Sequence, residues 1–205
     1  MFGGCLKQVI DLNNDLECYL SELFTSINLL LTHLLCVFIS APIFKSIYQS
    51  METTLEVPQG VFELTRNTSH KPEALRAWDA ADEYLLDFLA EQQLLVVGVG
   101  ILILNDNFGA LAVALHKYSP VAISDSYLSQ QMTRSNLLAN DLSVDNVALH
   151  SIMKFPQETF DLVLIKVPKT LALLEYELIN LLDIITPSTR VILAGMLKVL
   201  PRSVW

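Results

Sequence analysis

The sequence predicts an α/β protein with a parallel sheet, because short apolar runs alternate with amphipathic segments from residue 72 onward. The runs are apolar throughout, which is typical of strands that helices cover on both faces. Five strands are expected, at residues 100–105, 121–124, 147–150, 162–167 and 190–194, with helices at 72–92, 109–117, 127–140 and 171–184. This alternation indicates a Rossmann-like fold.

Composition limits the classes of function that the chain can have. Its 205 residues suffice for one domain with a sizeable core, and a hydrophobic content of 52% excludes a disordered protein. The net charge of −9 argues against a general nucleic-acid binder, because binding to phosphates normally requires a basic surface. Any contact with RNA is therefore expected from a local patch.

The cysteines and histidines predict no metal site and no disulfide framework. Cys5, Cys18 and Cys36 all precede residue 51, and no two of them have the Cys-x-x-Cys spacing. The four histidines are scattered without a ligand motif. An odd number of free thiols fits a reducing cytoplasm, which we take as the expected location.

Residues 1–50 differ in character from the remainder. They contain an apolar run at 27–44, which is at the short limit for a membrane span but lacks the basic flank of a signal peptide. We leave two interpretations open: a weak membrane segment, or a leader outside the functional protein, whose start would then be Met51. Residues 51–71 are expected to be an N-terminal extension and linker, 72–195 the domain, and 196–205 an aberrant tail.

The sheet is expected to be truncated after its fifth strand, at residues 190–194. That strand is apolar throughout, as a central strand would be, so the truncation would leave one of its edges unpaired. An unpaired edge of this kind favours self-association.

Ligands of such sheets lie beyond the carboxyl ends of the strands, next to the first one. The loop there has a single glycine, Gly109, and Phe108 stands where a second glycine would let the backbone approach a cofactor. Asn105 precedes Asp106, which we expect to cap or brace the loop. Asp125, after the second strand, is either a ribose-binding acid or, preferably, a helix N-cap. We therefore expect a degenerate cofactor site.

A phosphoacceptor receiver domain is the rival interpretation of these acids. It requires two adjacent acids after the first strand and an aspartate after the third. The first loop here has one acid, Asp106, and His150 and Ser151 follow the third strand. We therefore reject this interpretation.

Five stretches carry a resemblance to a known family: PQGVFELTR, LRAWDAADEYLL, ILILNDNFGALAVAL, SDSYLSQQMTRSNL and LIKVPKTLALLEYEL. Over residues 51–195 the sequence resembles the N-terminal domain of the large-subunit (23S) ribosomal RNA guanine-N2-methyltransferases, which are related to the small-subunit (16S) enzymes. The resemblance implies a degenerate class I methyltransferase-type domain that supports the fold and RNA recognition. It also implies a C-terminal domain with the glycine-rich S-adenosylmethionine loop and an Asn-Pro-Pro-Phe active site.

The sequence departs from the catalytic pattern of that family. It has no Asn-Pro-Pro segment and no second glycine-rich loop, and Lys166-Val-Pro-Lys169 stands where a base-modifying site would have an amide. An amide oxygen can orient an amine by accepting a hydrogen bond, whereas an ammonium cannot accept one. The resemblance thus implies a non-catalytic half of an rRNA methyltransferase. Lys166, Lys169 and Arg134 are its candidate RNA contacts.

The implied partners are ribosomal RNA and a C-terminal methyltransferase domain, and a membrane is not expected. S-adenosylmethionine would serve the intact enzyme, and we expect no cofactor for this chain alone. Whether the chain is itself an enzyme stays open. The alternative function is a membrane-anchored or protein-binding Rossmann-like module without enzymatic activity, which would use residues 27–44.

Overall fold

The computed structural model describes residues 7–11, 53–66 and 75–196. The eight strands in these ranges are β1 (Lys7–Asp11), β2 (Thr54–Val57), β3 (Gly60–Glu63), β4 (Ile101–Leu104), β5 (Val121–Ser124), β6 (Ala148–Ser151), β7 (Leu162–Lys166) and β8 (Arg190–Met196). The four α-helices are α1 (Ala80–Glu91), α2 (Ala110–Ala114), α3 (Tyr127–Ala139) and α4 (Leu171–Leu181). Short 3₁₀ turns occupy His116–Tyr118 and Val144–Asn146.

Five strands form a parallel sheet in the spatial order β6-β5-β4-β7-β8. The predicted α/β class with five parallel strands is therefore confirmed. From β4 the chain proceeds to β5 on one side and later to β7 on the other, so the strand order reverses next to β4. In open parallel sheets, a crevice forms at the carboxyl ends of the strands at such a reversal.

The sheet is covered on both faces, as the apolar runs predicted. Alternate residues of β4 point to opposite faces: Ile101 and Ile103 belong to one core cluster, and Leu102 and Leu104 belong to the other. Helices α1, α2 and α3 and the hairpin of β2 and β3 contribute to the first cluster. Helix α4 and the 152–160 segment cover the second.

Helix α1 is shorter than the expected helix over 72–92, because residues 75–79 are not helical. Asp79 is its N-cap: the Asp79 carboxylate accepts from the backbone N–H of Ala81, and the Asp82 carboxylate accepts from that of Asp79. This reciprocal pair is a capping box, which fixes the start of the helix. It also brings both acids to the carboxyl edge of the sheet.

A hairpin of β2 and β3 lies within residues 51–71, which we expected to be an extension and linker. Leu55, Phe62 and Leu64 from this region are buried in the first core cluster. Helix α3 binds the segment through Asn140, which accepts from the backbone N–H of Glu63 and donates to the Glu63 carbonyl. The hairpin thus shares the core of the sheet.

Strand β8 is paired on both sides, which corrects the expectation of an unpaired edge at 190–194. One side pairs with β7, and the other pairs antiparallel with β1, from Lys7 opposite Met196 to Asp11 opposite Ile192. The apolar run at 27–44 and the tail beyond Met196 lie outside the described residues. Within the described ranges, no helix combines the length and apolar character that a membrane span requires.

Candidate functional site at the carboxyl edge

The carboxyl edge of the sheet, at the reversal of strand order, is bordered by the residues that follow β4, β5 and β7. The loop after β4 runs from Asn105 to Gly109, Asp125 follows β5, and Lys166 is the last residue of β7. A strand-reversal crevice is where sheets of this class place their ligands. The polar contacts of these residues therefore decide what the site can hold.

Lys166 is buried and ion-paired. Its side chain nitrogen Nζ lies 2.7 Å from Asp82 Oδ2 and 3.4 Å from Asp79 Oδ2, and only 7% of the residue is exposed. Both acids come from the capping box of α1, so the ammonium joins the start of α1 to the end of β7. This corrects the prediction that Lys166 contacts RNA, because its charge is directed into the protein.

The ion pair sets the protonation states of its members. Burial by itself would lower the pKa of Lys166, but the charges of Asp82, Asp79 and Asp106 outweigh this and raise that pKa, so the side chain remains an ammonium. Burial raises the pKa of Asp82 to about 6 despite the attraction of Lys166. The Asp82 carboxylate oxygen Oδ1 has no hydrogen-bond partner, so the pair is incompletely satisfied.

Asp106 braces the loop after β4, as predicted. Its carboxylate accepts from the backbone N–H groups of Gly109 at 3.1 Å and Ala112 at 2.9 Å. Burial raises the pKa of Asp106, against the opposing effects of Lys166 and these backbone donors. The backbone donors at the start of α2, which could otherwise bind an anionic ligand group, are therefore occupied by the protein's own carboxylate.

Gly109 serves the packing of two helices. Its φ is +84°, and a Cβ placed there would lie 2.8 Å from the Cα of Thr133 on α3. Only glycine combines this conformation with so close an approach. The one glycine of the loop is thus explained by the α2–α3 contact, without any ligand.

Phe108 is held by two segments distant in sequence. Its backbone carbonyl accepts from Asn136 Nδ2 at 2.8 Å, and the guanidinium carbon of Arg66 lies 4.6 Å from the centre of its ring. Asn136 also accepts from the N–H of Thr65 and donates to the Thr65 carbonyl, so the end of the hairpin segment is fixed beside the loop. Asn136 was not predicted from the sequence, because an asparagine inside a helix carries no local signal of such contacts.

Asn105 connects three elements at the carboxyl edge of the sheet. It has a left-handed backbone conformation, with φ of +65°, and its side chain Nδ2 donates to the Lys166 carbonyl at 3.1 Å and to Glu177 Oε2 at 3.0 Å. Glu177 lies on α4 and is fully buried. Burial raises the pKa of Glu177 to about 7, with a further contribution from Asp125 and an opposing one from Asn105.

Glu177 was also missed from the sequence, although a signal exists. It is an acid in a largely apolar helix, LALLEYELINL, at a position on the buried side with Leu181. A charge on the buried face of a helix indicates a specific partner, because burying an unpaired charge is costly. That partner, Asn105, is far away in sequence.

Asp125 is not the N-cap of α3, which corrects our preferred interpretation of it. The cap is Ser126, whose Oγ accepts from the backbone N–H of Ser129 at 3.2 Å, and Ser124 Oγ accepts from the N–H of Ser126. The Asp125 residue is exposed. Its other predicted role, as a ribose-binding acid, stays a prediction.

Lys169 and Arg134 remain the candidate RNA contacts. Lys169 is exposed in the loop before α4, and Arg134 is half-buried on α3. Neither makes an ion pair or a hydrogen bond through its side chain within the part of the chain that the structure describes. In the same part, no three His, Cys, Asp or Glu side chains gather where they could hold a metal ion.

Comparison with known proteins identifies the family of this domain. The model of the RLMG N-terminal domain matches residues 52–205, which is most of the chain. The chain belongs to the RLMG N-terminal domain family. The match begins at the hairpin, in agreement with its place in the core.

Curated relatives of the RLMG N-terminal domain are longer than this chain. The chain is 43% identical to the ribosomal RNA large subunit methyltransferase G of Aeromonas salmonicida (strain A449), over 72% of this chain and 39% of the relative. It is 46% identical to that of Stutzerimonas stutzeri (strain A1501), over 73% of this chain and 40% of the relative. It therefore spans about two fifths of the relatives' length.

A solved structure of a ribosomal protein L11 methylase from Lactobacillus delbrueckii subsp. bulgaricus is also similar. It is 17% identical, with a TM-score of 0.48 over 67% of this chain and 78% of that chain.

The crevice of this RLMG N-terminal domain does not fit S-adenosylmethionine, the cofactor that its family resemblance implies. The N–H groups at the start of α2 are taken by Asp106, and the Asn105 amide is bound to Glu177 and the Lys166 carbonyl. Phe108 adds a ring where bare backbone would be needed. A donor molecule would have to displace internal contacts that are already formed.

Proposed function

We propose that this RLMG N-terminal domain is the non-catalytic half of a cytoplasmic rRNA large-subunit methyltransferase. In this assignment, a C-terminal methyltransferase domain binds S-adenosylmethionine and transfers the methyl group to guanine N2. The N-terminal domain supports that half and contributes to RNA recognition. The proposal rests on the family membership and on the chemistry of the carboxyl edge.

The observation that carries the proposal is the buried contact between Lys166 and Asp82, at 2.7 Å. It places a charged pair at the end of β7, where a base-modifying site would require neutral acceptors for the incoming amine. Attack by an exocyclic amine on a methyl group also develops positive charge on nitrogen. A fixed ammonium beside that nitrogen would raise the barrier of the reaction.

The loop after β4 supports the same conclusion independently. The Asp106 carboxylate accepts a hydrogen bond from the backbone N–H of Gly109, and the Phe108 carbonyl accepts one from Asn136 Nδ2. These contacts stabilise the fold with the protein's own groups in the space that a cofactor would use. A domain that kept the sheet and lost the cofactor would require such replacements, because unpaired buried polar groups are costly.

Calorimetric titration with S-adenosylmethionine tests the non-catalytic assignment. We expect no saturable heat for this chain, whereas the full-length relative from Aeromonas salmonicida, titrated in parallel, binds with a measurable affinity. Saturable micromolar binding by this chain would contradict the proposal. A variant with Phe108→Gly is a useful comparison, because removal of the ring by itself is not expected to create binding while Asp106 remains.

The salt dependence of binding to a 23S rRNA transcript tests the RNA role. If Arg134 and Lys169 each neutralise one phosphate, Arg134→Ala and Lys169→Ala each reduce the slope of log K against log salt by about 0.7–0.9. Lys117→Ala is the control, since Lys117 is an exposed cation outside the predicted patch. Equal effects of all three substitutions would show that binding is non-specific. If none of them changes the slope, Arg134 and Lys169 are not phosphate contacts.

A further inference from the structure

Large apolar side chains are exposed at the carboxyl edge of the sheet. Tyr127 and Leu128, just after β5, are 74% and 52% exposed, and Met153, just after β6, is 82% exposed. A single exposed apolar residue is common, whereas three in neighbouring loops indicate a surface that binds a partner. Tyr127 is also one of two exposed aromatic residues in the described ranges, the other being Tyr176 on α4.

Hydrogen bonds fix the support of Tyr127, the first residue of α3. Gln130 Nε2, one turn further along the helix, donates to the His150 carbonyl in β6 at 3.1 Å. The backbone N–H of Ile152 donates to the Ser124 carbonyl at 3.2 Å, so the loops after β5 and β6 are joined directly. A ring on such a support loses little further freedom when a ligand covers it, which lowers the cost of binding.

Cations without internal partners flank Tyr127 along this edge. Lys154 follows β6 and Lys169 follows β7; both residues are exposed, and neither side chain forms an ion pair or a hydrogen bond with the described part of the chain. The strand order β6-β5-β4-β7 places the start of α3 between them, with the ends of β6 and β7 about 14 Å apart at ~4.8 Å per strand. Arg134 lies two turns beyond Tyr127 on the same side of α3. In a chain with a net charge of −9, these cations form a local basic patch.

We propose that this edge binds single-stranded RNA, with one base stacked on the ring of Tyr127 and the adjacent phosphates on Lys154 and Lys169. The inference rests on the proposed function for RNA as the ligand, and it adds the unpaired state of the strand and the residue that holds a base. Stacking on an aromatic plane, combined with cations along the backbone, is how proteins bind unpaired nucleotides. A duplex offers no free base face, because each base is covered by its neighbours.

The exposed Asp125 fits the same ligand. Its carboxylate, two residues before Tyr127, repels a phosphate but accepts a hydrogen bond from a ribose 2′-OH or from an amino group of a base. The phosphates therefore belong over the lysines and the sugar or base edge over the acid. A ring, two cations and one acceptor together match a ribonucleotide, which carries a flat base, a phosphate and hydroxyl donors.

Fluorescence anisotropy with the full chain and a labelled RNA tests the contact. The RNA has mixed sequence and about ten nucleotides, within the ~4–16 that single-strand-binding domains cover, and it is used alone and paired with its complement. Tyr127→Ala should weaken binding of the single strand about 5- to 100-fold, the loss of one stacked base. Tyr127→Phe keeps the ring and should retain the affinity, whereas Tyr127→Leu keeps apolar bulk without a plane and should weaken binding as alanine does. Tyr176→Ala is the matched control, because it removes an exposed tyrosine from α4, on the other face of the sheet.

The stacking contact is refuted if the wild type binds single strand and duplex equally, or binds neither. It is also refuted if Tyr127→Leu binds like the wild type, because no aromatic plane is then needed. Unchanged affinity of Tyr127→Ala refutes it as well, and leaves the exposed apolar side chains to a protein partner. The RNA role in the proposed function is judged separately: a salt slope that responds to Arg134→Ala, together with an unchanged affinity of Tyr127→Ala, refutes only the stacking. If alanine at 127 weakens α3, the comparison of Tyr127→Phe with Tyr127→Leu still decides whether the ring is required.

Discussion

The substitution Lys166→Met gives a quantitative test of the buried ion pair. It replaces the ammonium with an apolar side chain of similar length and leaves Asp82, which is 1% exposed, without its cation. Removal of one member of a buried pair costs about 3–5 kcal/mol, because the remaining charge has lost both water and its partner. We expect a loss of this size in the free energy of unfolding at pH 8.

The pH dependence of that loss follows from the pKa of Asp82. This pKa is already raised to about 6 by burial, and removal of Lys166, which opposes the rise, moves it higher. An acid with a raised folded-state pKa destabilises the protein as the pH rises from its unfolded to its folded value, by about 1.4 kcal/mol per pH unit. The variant is therefore expected to recover most of its loss when the pH falls to about 4.5, where Asp82 binds a proton.

Urea unfolding followed by far-UV circular dichroism at pH 8, 6 and 4.5 measures these values. Lys169→Met is the matched control, because Lys169 follows the same strand but is exposed. We expect this substitution to change the free energy of unfolding by less than about 0.5 kcal/mol. The double variant Lys166→Met, Asp82→Leu should regain at least half of the lost stability at pH 8, since no buried charge remains unpaired.

Two results would refute the reasoning about Lys166. A loss below about 1 kcal/mol at pH 8 would mean that the ammonium is exchanged with solvent, as in a surface pair. A loss that is the same at all three pH values would mean that the Asp82 carboxylate is not the group left behind. The first result would restore Lys166 as a candidate RNA contact.

Three further substitutions test other parts of the site by the same unfolding assay. Glu177→Gln should stabilise the protein by up to about 3 kcal/mol above pH 7. The reason is that the wild type loses stability as the pH rises from 4.5 to about 7, the raised pKa of Glu177, whereas the variant does not. Glu175→Gln on the same helix is the control and should have little effect. Gly109→Ala should cost more than Gly98→Ala by about 1–3 kcal/mol, because both glycines have φ near +84° but only the former meets α3, at 2.8 Å. Asn136→Ala should cost about 2–4 kcal/mol, since it leaves backbone groups of the hairpin segment and the loop unpaired.

Each of these expectations has a clear contrary outcome. A pH profile of Glu177→Gln that is parallel to that of the wild type would show that Glu177 titrates normally. Equal costs at Gly109 and Gly98 would assign the whole effect to backbone conformation and none to helix contact. An unchanged stability of Asn136→Ala would mean that water replaces its hydrogen bonds.

The sequence by itself determined the five parallel strands and the family, because these depend on local apolar periodicity and on long matching stretches. Strands β1, β2 and β3 were not predicted. Strands β4, β5 and β7 fall within one residue of the predicted ranges. The single glycine and Phe108 predicted a degenerate cofactor loop after β4, which stays a prediction. The start of α1 was wrong, because the Asp79 capping box begins that helix at Ala80. Helix α3 begins at the predicted residue 127, but its N-cap is Ser126 rather than Asp125.

Only the tertiary structure decided the partners of the polar groups at the carboxyl edge. Lys166 meets Asp82 across 84 positions of sequence, and Asn105 meets Glu177 across 72. The strand that closes β8 comes from residues 7–11. Such contacts arise when elements dock on a common sheet, and the charge of a side chain does not reveal whether water or a distant residue will neutralise it. This is the physical reason that a lysine predicted to bind RNA is instead an internal partner of two acids.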